Sequence, residues 1–521
     1  MKVLLINPQF PDTYWSFRHA LPFEQKRSAF PPLGLLTVSS LLPATWERRL
    51  IDLEICNLEE TDIEWADIVF LTAMLVQAES LRLVISRCKR AGKKVVVGGP
   101  YVTTLKEELT GADHVFRGEV ETTLPQFIKD LERGDEKPLY TSPERPALSA
   151  TPSPDFALAD LKSYSAMSVQ YSRGCPFQCE FCDIIEIYGR VPRTKSDQQM
   201  INELDALYDV GWRGPVFIVD DNFIGNKRNV KRMLPAIAEW SRSHDYPFSF
   251  MTEASLNLAE DESLLETMRT AGFRRVFLGI ETPVEDSLKE AQKGQNLRRD
   301  LLESIRLIQA HGLEIMAGFI IGFDNDPEDI FERQINFIRA SAIPLAMVNL
   351  LSALPDTQLW RRLEREGRLL DEASGNNSDC SLNFIPRMDP DQLVKGYKRV
   401  MLTIYKPSEY YARALDSLTK VIQKGPNPRG TSLTQDIGTL LRILTKLGIR
   451  DRERLEFWVY MYRVVTRHRK AFARGMRLAA MGYHLRRLSD LYCRSTAKEP
   501  MRSAATGLSP SLLQQCPQAE E

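Results

Sequence analysis

Arg173-Gly174-Cys175-Pro176-Phe177-Gln178-Cys179-Glu180-Phe181-Cys182 is the stretch on which the reading of this chain turns. Its spacing is C-x3-C-x2-C, on a loop opened by Gly174 and Pro176. A loop this short can present three thiolates to one face of an iron–sulfur cubane, leaving one iron without a protein ligand. A zinc knuckle would need a fourth cysteine or histidine to close its tetrahedron. The next cysteine along the chain is Cys380 and the next histidine His244, so no fourth ligand is nearby in sequence. Core packing is the blander reading of any cysteine, but position, spacing and the missing fourth ligand all favour a cluster.

Working outward, the loop follows a short apolar run at 167–172 that opens a regular series. Further runs of strand length fall at 215–220, 247–253, 275–281, 313–321 and 346–351. Between them, 198–210, 227–241, 263–271, 299–311 and 327–341 repeat apolar residues at helical spacing. This alternation predicts a partial (β/α)6 barrel, with its chemistry at the C-terminal ends of the strands. Ahead of it, runs at 2–7, 49–55, 68–72 and 95–97, a helical stretch at 79–91 and a fifth strand before Gly118-Glu119 predict a Rossmann-like α/β domain. Its strand ends read Asn7-Pro8, Thr72-Ala73 and Gly98-Gly99-Pro100, where the ligands of such sheets sit. The first strand leads to Asn7-Pro8-Gln9 and not to G-x-G-x-x-G, which disfavours a nicotinamide cofactor.

The domain limits read as 1–135, a Pro-, Ser- and charge-rich linker at 136–160, the barrel at 161–385, a helical extension at 386–495 and a polar, disordered tail at 496–521. A chain of 521 residues exceeds one ordinary core. Hydrophobic content of 43% with 26% charged residues is that of a soluble globular protein. The net charge of -1 argues against a nucleic-acid binder. The run MKVLLINPQFPD at 1–12 has too short an apolar stretch for a signal peptide, so none is expected, and no apolar run reaches roughly 18 residues. Eight cysteines, three crowded together and five scattered, suit a metal site in a reducing compartment, so a cytoplasmic location is expected.

C-x3-C-x-aromatic-C after the first barrel strand resembles the signature of the radical S-adenosylmethionine (SAM) superfamily. The resemblance implies a [4Fe–4S] cluster on Cys175, Cys179 and Cys182, with SAM's amino and carboxylate groups on the open iron. One electron from the cluster then cleaves SAM to methionine and a 5′-deoxyadenosyl radical, which takes hydrogen from an unactivated carbon. It also implies a low-potential electron donor such as a flavodoxin or ferredoxin. Phe181, Asp220, Asp221, Glu253, Glu281, Gly318 and Gly322 fall where the superfamily contacts SAM. The bland alternative for each carboxylate is a solvated or helix-capping group.

A Rossmann-like domain ahead of such a barrel resembles the cobalamin-dependent branch of the superfamily. Thr72, Gly98, Gly99, Pro100 and Glu119 then become the expected cobalamin contacts, the glycines allowing close approach to the corrin. None of the six histidines has the Asp-x-His-x-x-Gly setting of a cobalt ligand, so cobalamin without a protein histidine is expected. Ala29-Phe30-Pro31-Pro32-Leu33-Gly34, Val219-Asp220-Asp221-Asn222-Phe223 and Gly322-Phe323-Asp324 resemble the subgroup with a C-terminal extension that includes hopanoid C-2 methylases. The resemblance implies a C-methyltransferase acting on a small molecule or a lipid. A cobalamin-dependent radical enzyme that cyclises or oxidises, and a non-catalytic corrinoid or iron–sulfur module serving a partner, stay open beside it. Residues 442–487 are basic and helical in pattern, with aromatic residues interleaved. They fit either peripheral contact with the inner face of a membrane or a basic helix packed on the barrel.

Overall fold

A computed structural model of the chain describes residues 1–105, 109–376, 378–422 and 433–494; the tail expected at 496–521 lies outside them. The first sheet holds β1 (Lys2–Asn7), β2 (Glu47–Asp52), β3 (Ile68–Thr72), β4 (Lys94–Gly98), β5 (His114–Arg117) and β6 (Leu139–Thr141). They lie in the order β2-β1-β3-β4-β5-β6, every pair parallel. The apolar runs are nearly continuous because both faces are covered. Leu4, Val69 and Val95 enter one core while Val3, Phe70 and Val96 enter another. Strand order reverses between β1 and β3, which sets the ligand crevice beyond Asn7 and Thr72. One detail differs from the sequence reading: β6 lies inside the stretch read as a linker. Three residues are too short for periodicity to register, and pairing with β5 makes them a strand.

The second sheet is the partial barrel. Its strands are β7 (Met167–Val169), β10 (Gly214–Ile218), β11 (Phe248–Ala254), β12 (Phe273–Glu281), β13 (Glu314–Ile321) and β14 (Leu345–Leu350), in sequential order and parallel throughout. A two-stranded hairpin, β8 (Ser172–Arg173) with β9 (Arg193–Thr194), follows β7. Along β12, Val276, Leu278 and Ile280 are fully buried, and the alternating Phe277 and Gly279 take the opposite, concave face. The open edge at β14 is capped by hydroxyls. Tyr14 donates to the Val348 carbonyl at 2.7 Å, Tyr397 to the same oxygen at 3.1 Å, and Tyr405 to Ala346. Strand-edge carbonyls are thereby bonded by the N-terminal segment and the C-terminal extension together.

That extension contains helices Pro390–Ile404, Pro407–Lys420, Leu433–Ile443, Arg454–Arg467 and Phe472–Arg494. The last of these closes the N-terminal end of the barrel. Arg477 donates to Glu314 at 2.8 Å, and Glu314 also accepts from Arg275 at 3.2 Å. Arg474 is buried and donates to the Val421 and Ser417 carbonyls at 3.1 and 3.3 Å. Arg486 is paired with Asp451. The basic stretch 442–487 is therefore not one surface helix: Arg474, Arg477 and Arg486 are structural. Charge composition could not separate them from solvated cations, because their carboxylate and carbonyl partners lie far away in sequence. No described helix is long and apolar enough to cross a membrane.

Candidate functional site

The cysteine loop folds tightly against the turn that precedes β9. Gly174 has φ +96°, and a Cβ there would lie 2.8 Å from the Gly189 carbonyl, which also accepts from the Cys175 N–H at 3.2 Å. Asn222 directs its amide toward the Cys175 Sγ at 3.8 Å, and Gln295 directs its own toward Cys179 at 3.7 Å. Burial pushes the Cys175 thiol up and the Cys182 thiol well up. Free thiols that are buried at Cys179 and half-buried at Cys175 and Cys182, two of them met by amide donors, are a suitable ligand set for an iron–sulfur cluster, whose sulfurs accept such hydrogen bonds. Among the described residues, no three His, Cys, Asp or Glu groups are placed to hold a single metal ion. Glu180 pins the loop from outside, accepting from Arg362 at 2.6 and 3.1 Å.

The carboxylates at the strand ends divide by what they touch. Asp220 accepts from the Tyr171 N–H at 2.8 Å and the Ser172 hydroxyl at 2.6 Å, which anchors the end of β7. Burial pushes its pKa up to about 6. Asp221 accepts from the Gly174 N–H at 3.0 Å, and burial with Asp220 and Asp183 nearby pushes it up to about 7. Glu253 is half-buried near these two, and its pKa is pushed up to about 8 by loss of solvent first and then by Asp221 and Asp220. Its carboxylate meets no hydrogen-bond or ionic partner among the described residues. A carboxylate held this way lowers its free energy by receiving a cation such as an ammonium group.

Glu281 is different. It sits at φ +65° and accepts from Lys293 Nζ at 2.5 Å, so its charge already has a protein partner. Burial opposes the charge on Lys293, but Glu281 and Cys179 outweigh it and hold the ammonium charged. That ammonium lies 5.8 Å from the centre of the Phe181 ring, which ties the aromatic residue of the cysteine motif to this pair. Gly279 leaves the room: a Cβ there would come 2.4 Å from Glu281 Oε1 and 2.7 Å from Lys293 Nζ. A Cβ on Gly318 would press within 3.1 Å of the Phe277 ring. Gly322 has φ +113° and donates its N–H to Asp326 at 2.8 Å, so its own turn demands glycine.

At the first sheet, Gly99 has φ +101°, and a Cβ would lie 2.4 Å from Thr72 Oγ1 and 3.0 Å from the Ala73 carbonyl. This glycine is required by packing of the β3 and β4 ends onto each other, whatever approaches from outside. A Cβ on Gly98 would meet only Phe116, at an ordinary 3.7 Å. Pro100 opens a short helix at Pro100–Thr104. Glu119, expected against the corrin, has its carboxylate occupied by Arg173 at 2.7 Å and Arg193 at 2.6 Å. Arg173 also reaches Glu121 at 2.7 Å. Arg173 directly precedes the cysteine loop, so these pairs fasten the first sheet to the cluster site. His114 stands at the start of β5, at the opposite end of the sheet from Gly99. Sequence reading assigned no role to Lys293, Gln295, Arg173 or Arg193. Nothing local marks the first two, which lie in a loop after β12, whereas Arg173 and Arg193 would have needed their partners across the domain boundary.

Comparison with known proteins matches this architecture piece by piece. Residues 27–128 match the B12 binding domain, 169–338 the radical SAM superfamily and 357–498 a domain of unknown function (DUF4070). An uncharacterized methyltransferase of Synechocystis sp. is 42% identical over 93% of this chain and 91% of the relative. Hopanoid C-2 methylase of Rhodopseudomonas palustris is 35% identical over 89% of this chain and 90% of the relative. Among solved structures, the cobalamin-dependent SAM radical enzyme OxsB, with aqua-cobalamin and SAM bound, superposes with a TM-score of 0.56 at 17% identity, covering 94% of this chain and 80% of that one. The radical SAM methyltransferase TsrM from Kitasatospora setae, with cobalamin and a [4Fe–4S] cluster bound, gives 0.55 at 16% identity, covering 76% and 85%. Cluster-type thiols at a barrel mouth, a cobalamin-type sheet fastened to them by Arg173, and relatives that match nearly end to end lead to one assignment: this chain belongs to the cobalamin-binding radical SAM methyltransferases, in the group that carries the DUF4070 extension.

Proposed function

We propose that this enzyme methylates an unactivated carbon of a flat, hydrophobic polycyclic lipid, with a hopanoid as the substrate to test first. The observation that carries this reading is the aromatic lining of the barrel's concave face. Trp15 stacks on Phe217 at 5.9 Å and meets Phe277 at 5.2 Å, while Phe30 meets Phe217 at 5.2 Å. Trp15, Phe30 and Phe277 remain partly exposed inside a barrel whose other aromatic residues are mostly buried. Flat apolar walls that stay accessible suit a rigid apolar ligand. The 35% identity to hopanoid C-2 methylase supports the same substrate class.

When bound, the cluster, SAM and cobalamin supply the radical that takes the hydrogen and the methyl group that replaces it. The chain's own residues hold and orient. Cys175, Cys179 and Cys182 ligate the cluster, with Asn222 and Gln295 donating to two of the sulfurs. Glu253 receives the SAM ammonium, helped by Asp221, while Asp220 fixes the loop from behind. The Glu281–Lys293 pair under Phe181 keeps a positive charge beside the cluster. Gly318 leaves the Phe277 wall in place. Thr72, Gly98 and Pro100 border the cobalamin crevice, and Glu119 acts through Arg173 rather than on the corrin. Electrons come from a flavodoxin or ferredoxin of a reducing cytoplasm.

The test is anaerobic incubation of reconstituted enzyme with SAM, hydroxocobalamin, a low-potential reductant and a desmethyl hopanoid. S-adenosylhomocysteine and 5′-deoxyadenosine formed together with a methylated lipid are expected. Formation of 5′-deoxyadenosine alone would indicate a non-methylating radical reaction, and neither product a binding module. Deletion of the gene followed by lipid profiling identifies the acceptor in the cell.

A further inference from the structure

Helix Arg454–Arg467 is apolar on two sides. Phe457, Tyr460, Met461 and Val464 form its buried face. Leu455, Val459, Tyr462 and Val465 form a second stripe that points into solvent, with Leu455 at 75% and Tyr462 at 71% exposure, and Trp458 joins it half-exposed, its indole N–H held on the Gly448 carbonyl at 2.9 Å. At about 100° per residue these five side chains fall within one continuous arc. Helices apolar all round are ordinarily covered on every side, and this one is covered on one side only. Ile437, Leu441 and Ile449, on the neighbouring turns, add to the same exposed set. Nearly half of the large apolar side chains exposed among the described residues fall between 437 and 465.

The borders of the arc are positive. Arg454 flanks one side and Arg463 with Arg467 the other, while Arg469 and Lys470 follow at the end of the helix. All five are exposed, and none has an ion-pair partner among the described residues. Glu456 is the one acidic residue on the exposed part of this helix. The charge distinguishes between occupants. A second copy of the chain would set its arginine borders, Arg454 on one side and Arg463 with Arg467 on the other, against those of the first, and like charges across a two-fold interface repel. An anionic bilayer neutralises the borders while its acyl region takes up the stripe, with Trp458 and Tyr462 at the depth where amphipathic rings settle.

We propose that this face of the Arg454–Arg467 helix docks the enzyme on anionic lipid bilayers, so that a membrane-resident substrate is met at the surface where it lies. The docking face stands independently of the substrate reading above, since it is defined by this helix and not by the barrel. The test is co-sedimentation of the full-length, cluster-reconstituted enzyme with phosphatidylglycerol–phosphatidylcholine vesicles and with pure phosphatidylcholine vesicles. Wild type is expected to bind the anionic vesicles, more weakly as salt rises. Replacing Leu455, Val459 and Tyr462 by Ser is expected to weaken binding at least tenfold. Changing Arg454, Arg463 and Arg467 to Glu is expected to abolish it. All these side chains are exposed, so iron content and SAM cleavage should match wild type in both variants. Absence of wild-type binding at low salt overturns the proposal, as does undiminished binding by both variants. Self-association of wild type that the Ser variant loses, seen by sedimentation velocity without lipid, assigns the face to a second copy and also overturns it. Lipid methylation in detergent that survives these substitutions leaves the substrate reading standing whichever way the docking result falls.

Discussion

The two parallel sheets end in opposite kinds of site. At the first sheet, the polar side chains beyond the strands satisfy one another. Asn7 donates to Asp52 at 2.8 Å, Tyr164 reaches the other Asp52 oxygen at 2.9 Å, and Gln77 donates to Asn7 and to the Pro8 carbonyl. At the barrel mouth, buried carboxylates stand close together, and Glu253 has no protein partner for its charge. Burial raises the pKa of Asp52 as it does that of Glu253, but Asp52 is met by donors from Asn7, Tyr164 and the Glu54 N–H. Glu253 has no such donor among the described residues, so the two sheet ends differ in how far their buried carboxylates are satisfied.

The largest effect expected from breaking this contrast is at the cluster. Replacing Cys175, Cys179 and Cys182 with Ala should remove essentially all bound iron and stop SAM cleavage, with the cobalamin crevice left intact. Iron analysis and cobalamin retention on the same sample check both halves. Next comes the joint between the regions. Arg173→Met leaves Glu119 and Glu121 buried without that partner, and stranding a buried charge costs about 3–5 kcal/mol. Denaturant unfolding should show this loss, with cluster occupancy falling alongside it because Arg173 adjoins the loop.

Within the first sheet, Gly99→Ala drives a Cβ into Thr72 and Ala73 at a strained φ and should cost about 2 kcal/mol. Gly98→Ala, with only ordinary contact to Phe116, should change stability by less than about 0.5 kcal/mol. Equal effects at the two positions would show that the crevice is set by the ligand and not by the β3–β4 packing. A separate effect, read as a pH dependence, belongs to Glu253. With its pKa raised to about 8, the folded chain holds a proton there that the unfolded chain has released. That contribution to stability is therefore fully present below the ordinary carboxylate range and declines as pH rises toward 8. On the proposed role of Glu253 in receiving the SAM ammonium, SAM affinity should rise with pH over the same window. Glu253→Gln should flatten both profiles and weaken SAM about tenfold at pH 8, measured by calorimetry.

Much of this site is legible in sequence because its ligands are local. The three cysteines lie on one loop, and Asp221 and Glu253 fall at the ends of strands whose apolar runs are plain. Glu281 and Glu119 show what that reasoning leaves out. Both stand at strand ends, and their carboxylates are paired with Lys293 and with Arg173 and Arg193, partners that strand position does not reveal. Strand position indicates which residues reach the mouth, while the partner found there decides whether a charge remains available. The basic C-terminal stretch teaches the same lesson, since Arg474 and Arg463 belong to one stretch of similar composition and only Arg474 is buried.

By itself, the sequence determined the order of the two α/β units, the cluster motif and the family, because alternating runs and close cysteine spacing are local signals carried by adjacent residues. The tertiary structure alone decided which carboxylate is left without a partner, which arginines bind the domains together, and which face of the Arg454–Arg467 helix stays uncovered. Each of these depends on groups tens to hundreds of residues apart meeting in a dry interior, where a charge is either paired or costly, and no periodicity along the chain encodes that encounter.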